Sequence, residues 1–237
     1  MRLLLWDIDG TLVQTGVVGR DPFQEAIASV LGRDLGEGFH ERVRMSGKTD
    51  PQIARELLVA AEVHEHDVDA HLPEVLRLLE EQLLAAEHRL QVEGHAIPGA
   101  AEVLAALSDR SDVLQSVLTG NLAANAVVKL RAFGLDGFLD LDVGAYGSDH
   151  HDREELVPIA LAKAAAAHGG GGFSADETWV IGDTPRDYAC AKAGGARCVL
   201  VATGGFARSE LEGLGADAVL DDLSDTEAVV ALLTSTS

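Results

Sequence analysis

The sequence predicts an α/β fold: a parallel core sheet with helices on both faces, into which a small α-helical unit is inserted. Two observations lead to this prediction. Short apolar runs alternate with helical patterns over most of the 237 residues, as expected when parallel strands are joined by crossover helices. The alternation is interrupted once, close to the N-terminus, by a long stretch that carries helical patterns alone.

The predicted strands are apolar runs that suit strands buried on both faces of a sheet. The first, residues 3–6, stops at Asp7. Similar runs cover residues 113–118, 141–143, 179–181, 198–201 and 218–220. Helical patterns lie between or after them, over residues 100–107, 122–133, 154–168, 186–193 and 226–233. The order of strands and helices predicts a Rossmann-like core.

The interrupting stretch, residues 16–94, is called the helical insertion below. Asp21 and Asp50 each precede a proline, as an N-cap residue precedes the first helical position, and Gly32 can end the first helix. A third amphipathic pattern covers residues 72–83. We therefore predict a core domain of residues 1–15 and 95–237 and a small helical domain of residues 16–94. A glycine-rich surface link is expected at residues 169–172.

The charge balance limits the possible partners. The chain has 39 acidic residues against 18 Lys and Arg, a formal charge of −21, and no basic run, which disfavours nucleic acid and anionic membranes as partners. Only two cysteines and no long apolar stretch at the N-terminus lead us to expect a cytoplasmic protein. The oligomeric state is left open. An anionic substrate would need local cations or a metal ion in its site.

Acidic and hydroxyl residues follow three of the predicted strands. Asp7 and Asp9 follow the first, Thr119-Gly120-Asn121 follows the second, and Asp183 and Asp187 follow the run at 179–181. Ligands of open parallel sheets bind at the carboxyl ends of the strands. Four carboxylates brought together there would repel one another unless a divalent cation lay between them, and oxygen ligands suit Mg²⁺. The sequence thus predicts a Mg²⁺ site.

These motifs resemble those of the haloacid dehalogenase superfamily. Asp7-Ile8-Asp9-Gly10-Thr11-Leu12 is similar to its first motif, Thr119-Gly120 to its second, and Gly182-Asp183 with Asp187 to its fourth. The motifs occur in the family's order along nearly the whole chain. The helical insertion is similar in position to the family's cap of the type found in phosphoglycolate phosphatases.

The resemblance implies a phosphatase that acts on a small phosphorylated metabolite, similar to phosphoglycolate. Asp7 would be the nucleophile and would be transiently phosphorylated, and Asp9 the general acid and base. Mg²⁺ would bind Asp7, the backbone carbonyl of Asp9, and Asp183, with Asp187 as a further ligand or an outer acceptor. The Thr119 hydroxyl and the amides of Gly120 and Asn121, at a helix start, would hold phosphoryl oxygens.

The family's third motif departs from its usual form here. The family places a lysine, often before proline, early in the helix that precedes the fourth motif, and the chain has no Lys-Pro pair. Arg153 occupies the matching place and can pair with Asp7 and a phosphoryl group. Lys163 lies ten residues later, ~15 Å further along a helix. We therefore predict Arg153 in this role.

Lys48 is the candidate substrate-binding residue of the helical insertion. It lies between Gly47, which permits a sharp turn, and the helix start at Asp50. A loop inserted after the first strand can lie over the end of that strand, where a cation would favour an anionic substrate. The alternative is a solvated loop lysine.

Alternative functions remain open within the same resemblance. A dehalogenase needs neither a second acid nor a metal, so Asp9 disfavours it. A phosphomutase keeps both acids and is not excluded. A catalytically silent binding protein would be expected to lack Asp7, Asp9 or Asp183, all of which are present.

Overall fold

The structure, a computed structural model, describes residues 1–169 and 172–235. The strands described are β1 (Arg2–Trp6), β2 (Val13–Gln14), β3 (His95–Ala96), β4 (Val113–Val117), β5 (Thr178–Gly182), β6 (Arg197–Val201) and β7 (Ala218–Leu220). Five of them form one sheet in the order β4-β1-β5-β6-β7, and every pairing in it is parallel. The predicted Rossmann-like core sheet is confirmed.

Helices cover both faces of this sheet, as predicted. Alternate residues of β1 point to opposite faces. Leu4 and Trp6 pack with α5 (Ala100–Ser108), α6 (Ala123–Ala132) and α10 (Thr226–Thr234). Leu3 and Leu5 pack with α7 (Leu156–Ala167), α8 (Pro185–Ala193) and α9 (Arg208–Glu212). The predicted link at 169–172 includes residues 170 and 171, which lie outside the described residues.

The predicted strand at 141–143 is wrong. Leu141–Val143 is a 3-10 helix, because the Asp140 carboxylate accepts a hydrogen bond from the Asp142 amide at 3.2 Å and turns the chain. Only Ala145, two residues later, reaches the sheet, where it forms a single parallel bridge with Leu118.

The helical insertion contains α1 (Asp21–Leu31), α2 (Asp50–Ala60), α3 (Glu65–Ala85) and α4 (Glu87–Glu93). The sequence predicted three helices, and α4 is an additional one. Gly32 ends α1 with a positive φ of 62°, as expected. The predicted N-caps are wrong by one residue: Arg20 and Thr49 precede the two helices. Asp50 is the first helical residue instead, and its carboxylate is used elsewhere.

A short antiparallel ribbon joins the helical insertion to the sheet. Strands β2 and β3 pair through Val13 with Ala96 and Gln14 with His95, so the chain enters and leaves the insertion at neighbouring points. No pattern in the sequence predicted these two strands of two residues each. The proposed domain boundaries beside this ribbon, 15/16 and 94/95, stay predictions. Among the described residues, no helix is both long and apolar enough to span a bilayer.

Candidate active site

Three strand ends meet at one edge of the sheet because β1 lies between β4 and β5. The amide of Asp7 donates to the Ile181 carbonyl at 2.8 Å, and the amide of Leu118 to the Trp6 carbonyl at 2.9 Å. The loops that follow these strands therefore border one cavity of about 730 Å³. The predicted site residues that line it are Asp7, Asp9, Lys48, Thr119, Gly120, Asn121, Arg153 and Asp183.

Three of the four predicted carboxylates converge. One oxygen each of Asp7, Asp183 and Asp187 lies within 4.8 Å of the others, and we call these residues the three-carboxylate cluster. Burial raises the pKa of Asp7 to about 6, against the opposing charge of Arg153. Burial also raises the pKa of Asp183 to about 9, with Asp187 and Asp7 acting in the same direction. The charge of Arg153 opposes both shifts but does not cancel them.

The cluster fits a divalent metal ion. Its donors are all carboxylate oxygens, which Mg²⁺ prefers. The backbone closes tightly around Asp183, since a Cβ on Gly10 or Gly204 would lie 2.4 Å or 1.6 Å from its Oδ2. Gly10 also has a φ of +90°, a conformation that favours glycine. The places of the Asp9 carbonyl and of Asp187 among the metal ligands stay predictions.

Arg153 is the basic residue that the fold brings to the cluster. It begins the 3-10 helix Arg153–Glu155, and its Nη2 lies 2.9 Å from Asp7 Oδ1 and forms a second ion pair with Asp187. Lys163, the other residue weighed from the sequence, instead donates to the Gly144 carbonyl at 2.8 Å and does not line the cavity.

Asp187 is held in place by the start of α8. Its Oδ2 accepts from the Thr184 amide at 2.9 Å and from the Thr184 hydroxyl at 2.7 Å. The Asp187 amide donates back to the Thr184 hydroxyl at 3.4 Å, which completes a capping box. Its Oδ1 bonds Arg153. The fourth-motif acid is thus a structural link between α8 and Arg153 as well as a member of the cluster.

Asp9 points away from the cluster. Its Oδ2 accepts from Lys129 Nζ at 2.6 Å and from Asn121 Nδ2 at 2.9 Å, and its Oδ1 from the Thr15 hydroxyl at 3.0 Å. Lys129 Nζ also donates to Asn121 Oδ1 at 2.7 Å. We call Asp9, Thr15, Asn121 and Lys129 the Asp9 network. The carboxylate of Asp9 is therefore satisfied without a metal ion.

Burial alone would raise the pKa of Asp9, but the net shift is in the other direction. The charge of Lys129 and the hydrogen bonds from Lys129, Asn121 and Thr15 hold the pKa below its ordinary value. Lys129, only 5% exposed, was missed by the sequence analysis. Its one available signal was its position four residues after Asn125, on the same face of α6.

Several amides of the loop after β4 already have hydrogen-bond partners. The Leu122 amide donates to the Asp50 carboxylate and the Ala123 amide to the Ser148 hydroxyl, both at 2.8 Å. The Asn121 amide donates to the Thr119 hydroxyl at 3.3 Å. The anion-holding roles of the Thr119 hydroxyl and of the Gly120 and Asn121 amides stay predictions.

Lys48 lines the cavity from the helical insertion. Its ammonium forms an ion pair with Glu56, one turn along α2. Its backbone lies against Gly120, where an added Cβ would come within 2.1 Å of the Lys48 carbonyl oxygen. The Asp50 amide also donates to the Gly120 carbonyl at 2.7 Å. This loop therefore lies against the residue that follows Thr119 after β4, and the ammonium of Lys48 is already paired. The role of Lys48 in substrate binding stays a prediction.

A fold of this topology with acids at these strand ends is found in a known hydrolase family, and residues 1–195 match the model of the haloacid dehalogenase-like hydrolases. The chain belongs to this family. A phosphoglycolate phosphatase of Rhodospirillum rubrum is 34% identical over 128 residues, which are 54% of this chain and 49% of that protein. The match thus spans about half the length of this curated relative.

Solved structures share the fold over nearly the whole chain. A hydrolase from Pseudomonas syringae is 24% identical with a TM-score of 0.71, over 99% of this chain and 100% of that one. CbbY from Rhodobacter sphaeroides, in complex with phosphate, is 22% identical with a TM-score of 0.69, over 95% and 96%. At these identities the likeness establishes the fold.

Proposed function

We propose that this hydrolase is a Mg²⁺-dependent phosphatase of a small phosphorylated metabolite, similar to phosphoglycolate, and that it works through an aspartyl-phosphate on Asp7. The observation that carries the proposal is the contrast between Asp7 and Asp9. These acids lie two residues apart at one strand end, one in a cluster of metal-ligand type and the other in a network of hydrogen-bond donors. A nucleophile and a proton carrier require such different surroundings.

The first step uses both acids. A carboxylate oxygen of Asp7 forms a bond to phosphorus while the bond from phosphorus to the leaving oxygen breaks. Asp9, whose resting form is the carboxylate, takes up a proton from solvent before this step and gives it to the leaving oxygen. In the second step a water oxygen bonds to phosphorus and gives a proton to Asp9. The bond between Asp7 and phosphorus then breaks, which frees phosphate and restores both residues.

The remaining site residues bind and orient the phosphoryl group. Arg153, fixed by Asp187, holds Asp7 through one oxygen, and can also attract phosphoryl oxygens. We assign Thr119, Gly120 and Asn121 to those oxygens as well. When bound at the three-carboxylate cluster, Mg²⁺ supplies positive charge that offsets the repulsion between the phosphoryl group and the acids.

A small anionic substrate suits this cavity. The cations that line it, Arg153, Lys129 and Lys48, reduce the repulsion that the net charge of −21 exerts on an anion. Lys48, on the loop over the strand ends, is proposed to contact a second charged group of the substrate. The R. rubrum relative, named a phosphoglycolate phosphatase, supports this substrate class. The two buried free cysteines, Cys190 and Cys198, support the expected cytoplasmic location.

The test is release of inorganic phosphate from an aryl phosphate and from a panel of phosphorylated metabolites that includes phosphoglycolate. A chelator should abolish release and added Mg²⁺ restore it, whereas Ca²⁺, with its larger and looser coordination, should substitute poorly. Full activity in excess chelator would refute the metal role. Transfer of phosphate within a sugar phosphate, without net release, would favour a phosphomutase instead.

A further inference from the structure

We infer that Lys129 is a positioning residue, which together with Asn121 fixes one oxygen of Asp9 so that the other oxygen carries the proton to and from the substrate. This inference rests on the proposed function of Asp9. It adds a residue that none of the recognised motifs contains.

The two oxygens of Asp9 have unequal surroundings. Oδ2 accepts two hydrogen bonds, one from the Lys129 ammonium and one from the Asn121 amide, at 2.6 and 2.9 Å. Oδ1 has one partner, the Thr15 hydroxyl at 3.0 Å. A hydroxyl can rotate and accept a hydrogen bond, whereas an ammonium can only donate. Oδ2 is therefore the anchored oxygen, and Oδ1 has only a partner that can rotate away from it.

Lys129 is itself held rigidly. Its ammonium donates to Asn121 Oδ1 at 2.7 Å, and Asn121 Nδ2 donates to the Thr119 hydroxyl at 2.7 Å. The lysine is 5% exposed and Asn121 is 5% exposed. Each charge-assisted bond in this chain restrains the next one, so the orientation of the Asp9 carboxylate is defined before a substrate arrives.

Two other roles for Lys129 have to be separated from this one. Lys129 lines the cavity and could simply bind the phosphoryl group. It also faces Asp50, a buried carboxylate whose pKa burial raises to about 6 and the charge of Lys129 lowers, so that it could act as a countercharge that stabilises the fold. Neither of these roles depends on the leaving group of the substrate.

The experiment measures kcat/KM for a series of aryl phosphates, from dinitrophenyl to phenyl phosphate, with Lys129→Met in the presence of Mg²⁺. A nitrophenolate leaves without a proton, whereas a phenolate needs one. If Lys129 positions Asp9, the variant should lose about 10²-fold on phenyl phosphate, within the usual range for general acid catalysis, and no more than a few-fold on dinitrophenyl phosphate. Lys129→Gln, which keeps an amide donor, should show the same gradient with a smaller slope.

The controls separate the possible outcomes. Lys163→Met, a half-buried lysine outside the cavity, should leave the series unchanged. An equal loss on every substrate would overturn the inference in favour of phosphoryl binding, and a lower melting temperature with an unchanged series would favour the countercharge to Asp50. Asp9→Asn should show the steepest gradient. If Asp9→Asn were flat, the proposed acid role itself would fail, independently of Lys129.

Discussion

Asp7 and Asp9 are separated by one residue, yet their carboxylates meet opposite surroundings. Asp7 and Asp187 share a single cation, Arg153, and Asp183 lies beside them. Asp9 has Lys129 as its own partner. Asp7 is 4% exposed, whereas 39% of the Asp9 side chain is accessible, and the pKa of Asp7 is raised to about 6 while that of Asp9 is lowered.

Desolvation raises the pKa of both acids, so the opposite net directions come from the groups around each carboxylate. The number of cations and hydrogen-bond donors for each carboxylate decides the direction. A cluster of three acids with one guanidinium retains excess negative charge, which a divalent ion can compensate. A carboxylate with its own ammonium and two further donors needs no ion and has a defined orientation. One strand end thus provides two carboxylates with opposite electrostatic surroundings side by side.

The largest effect is expected when the two acids are neutralised in turn. Asp7→Asn removes the nucleophile, so turnover should fall by at least about 10⁴-fold, the scale for loss of a member of a catalytic unit. Asp9→Asn keeps the nucleophile and should slow proton transfer by roughly 10²–10⁴-fold. The measurement is steady-state turnover together with acid-quench trapping of the phosphoryl-enzyme.

Trapping of the phosphoryl-enzyme distinguishes the role of Asp7 from that of Asp9. Asp9→Asn should still form a phosphoryl-enzyme from a nitrophenyl phosphate and hydrolyse it slowly, whereas Asp7→Asn should form none. Normal turnover by Asp7→Asn, or trapped label in that variant, would refute the assignment of the covalent step to Asp7.

Much of the sheet and of the cluster could be predicted because buried parallel strands leave a strong pattern. The runs before Asp7 and Asp183 are uninterrupted apolar segments, and the acids that follow have no role in a core. The run at 141–143 failed because it holds only two apolar residues, Leu141 and Val143, on either side of Asp142, a pattern that fits a strand or a turn equally well. The side chain of Asp140, which selects the turn, contributes only one hydrogen bond.

The Asp9 network could not be predicted in full because Lys129 lies in the middle of a helix. A lysine at such a position is usually solvated, and its sequence context does not show which face of α6 meets the strand ends. The N-cap prediction at Asp50 was wrong for a related reason. Aspartate is a common N-cap residue, but the Asp50 carboxylate accepts a hydrogen bond from the Leu122 amide at 2.8 Å, a contact between residues 72 positions apart.

A substitution of Lys48 asks whether a cation outside the three-carboxylate cluster and the Asp9 network selects the substrate. Lys48→Ala should raise KM for the anionic metabolite by about tenfold, because a hydrogen bond to a charged group contributes ~1.5–3 kcal/mol. The KM for an aryl phosphate should hardly change, since its aryl group carries no second charge. Because Glu56 forms an ion pair with Lys48, Glu56→Gln should free the ammonium and lower KM for the anionic metabolite.

The matched control for this prediction is Arg55→Ala. Arg55 lies on the same helix, is exposed and pairs with Asp69, and it does not line the cavity. Its loss should leave both KM values unchanged. Equal effects of Lys48→Ala on the metabolite and on the aryl phosphate, or no effect on either, would show that Lys48 is not a specificity residue.

The smallest expected effect concerns the stability of the metal-free protein. In the fold the pKa of Asp183 is raised to about 9 from an ordinary 3.8, so between these values the folded chain holds a proton that the unfolded chain has lost. This stabilising contribution is fully present below the lower value and is lost as pH rises through the upper one. An asparagine at position 183 cannot ionise, so the stability of Asp183→Asn should not fall in this way as the pH rises.

The melting temperature of Asp183→Asn relative to the wild type should therefore increase in chelator between about pH 5 and about pH 8, by a few °C for each pH unit, since one proton contributes about 1.4 kcal/mol per pH unit and 1 kcal/mol shifts the melting temperature by roughly 2–4 °C. Asp9→Asn provides the contrast. The pKa of Asp9 is lowered, so its contribution to stability is lost only as the pH falls into the acid range. The melting temperature of Asp9→Asn relative to the wild type should therefore stay constant over this interval.

Saturating Mg²⁺ should remove the pH dependence of the wild type, because the ion stabilises the ionised cluster. A constant difference for Asp183→Asn in chelator would mean that the three carboxylates are not short of positive charge, and the contrast with Asp9 would be lost.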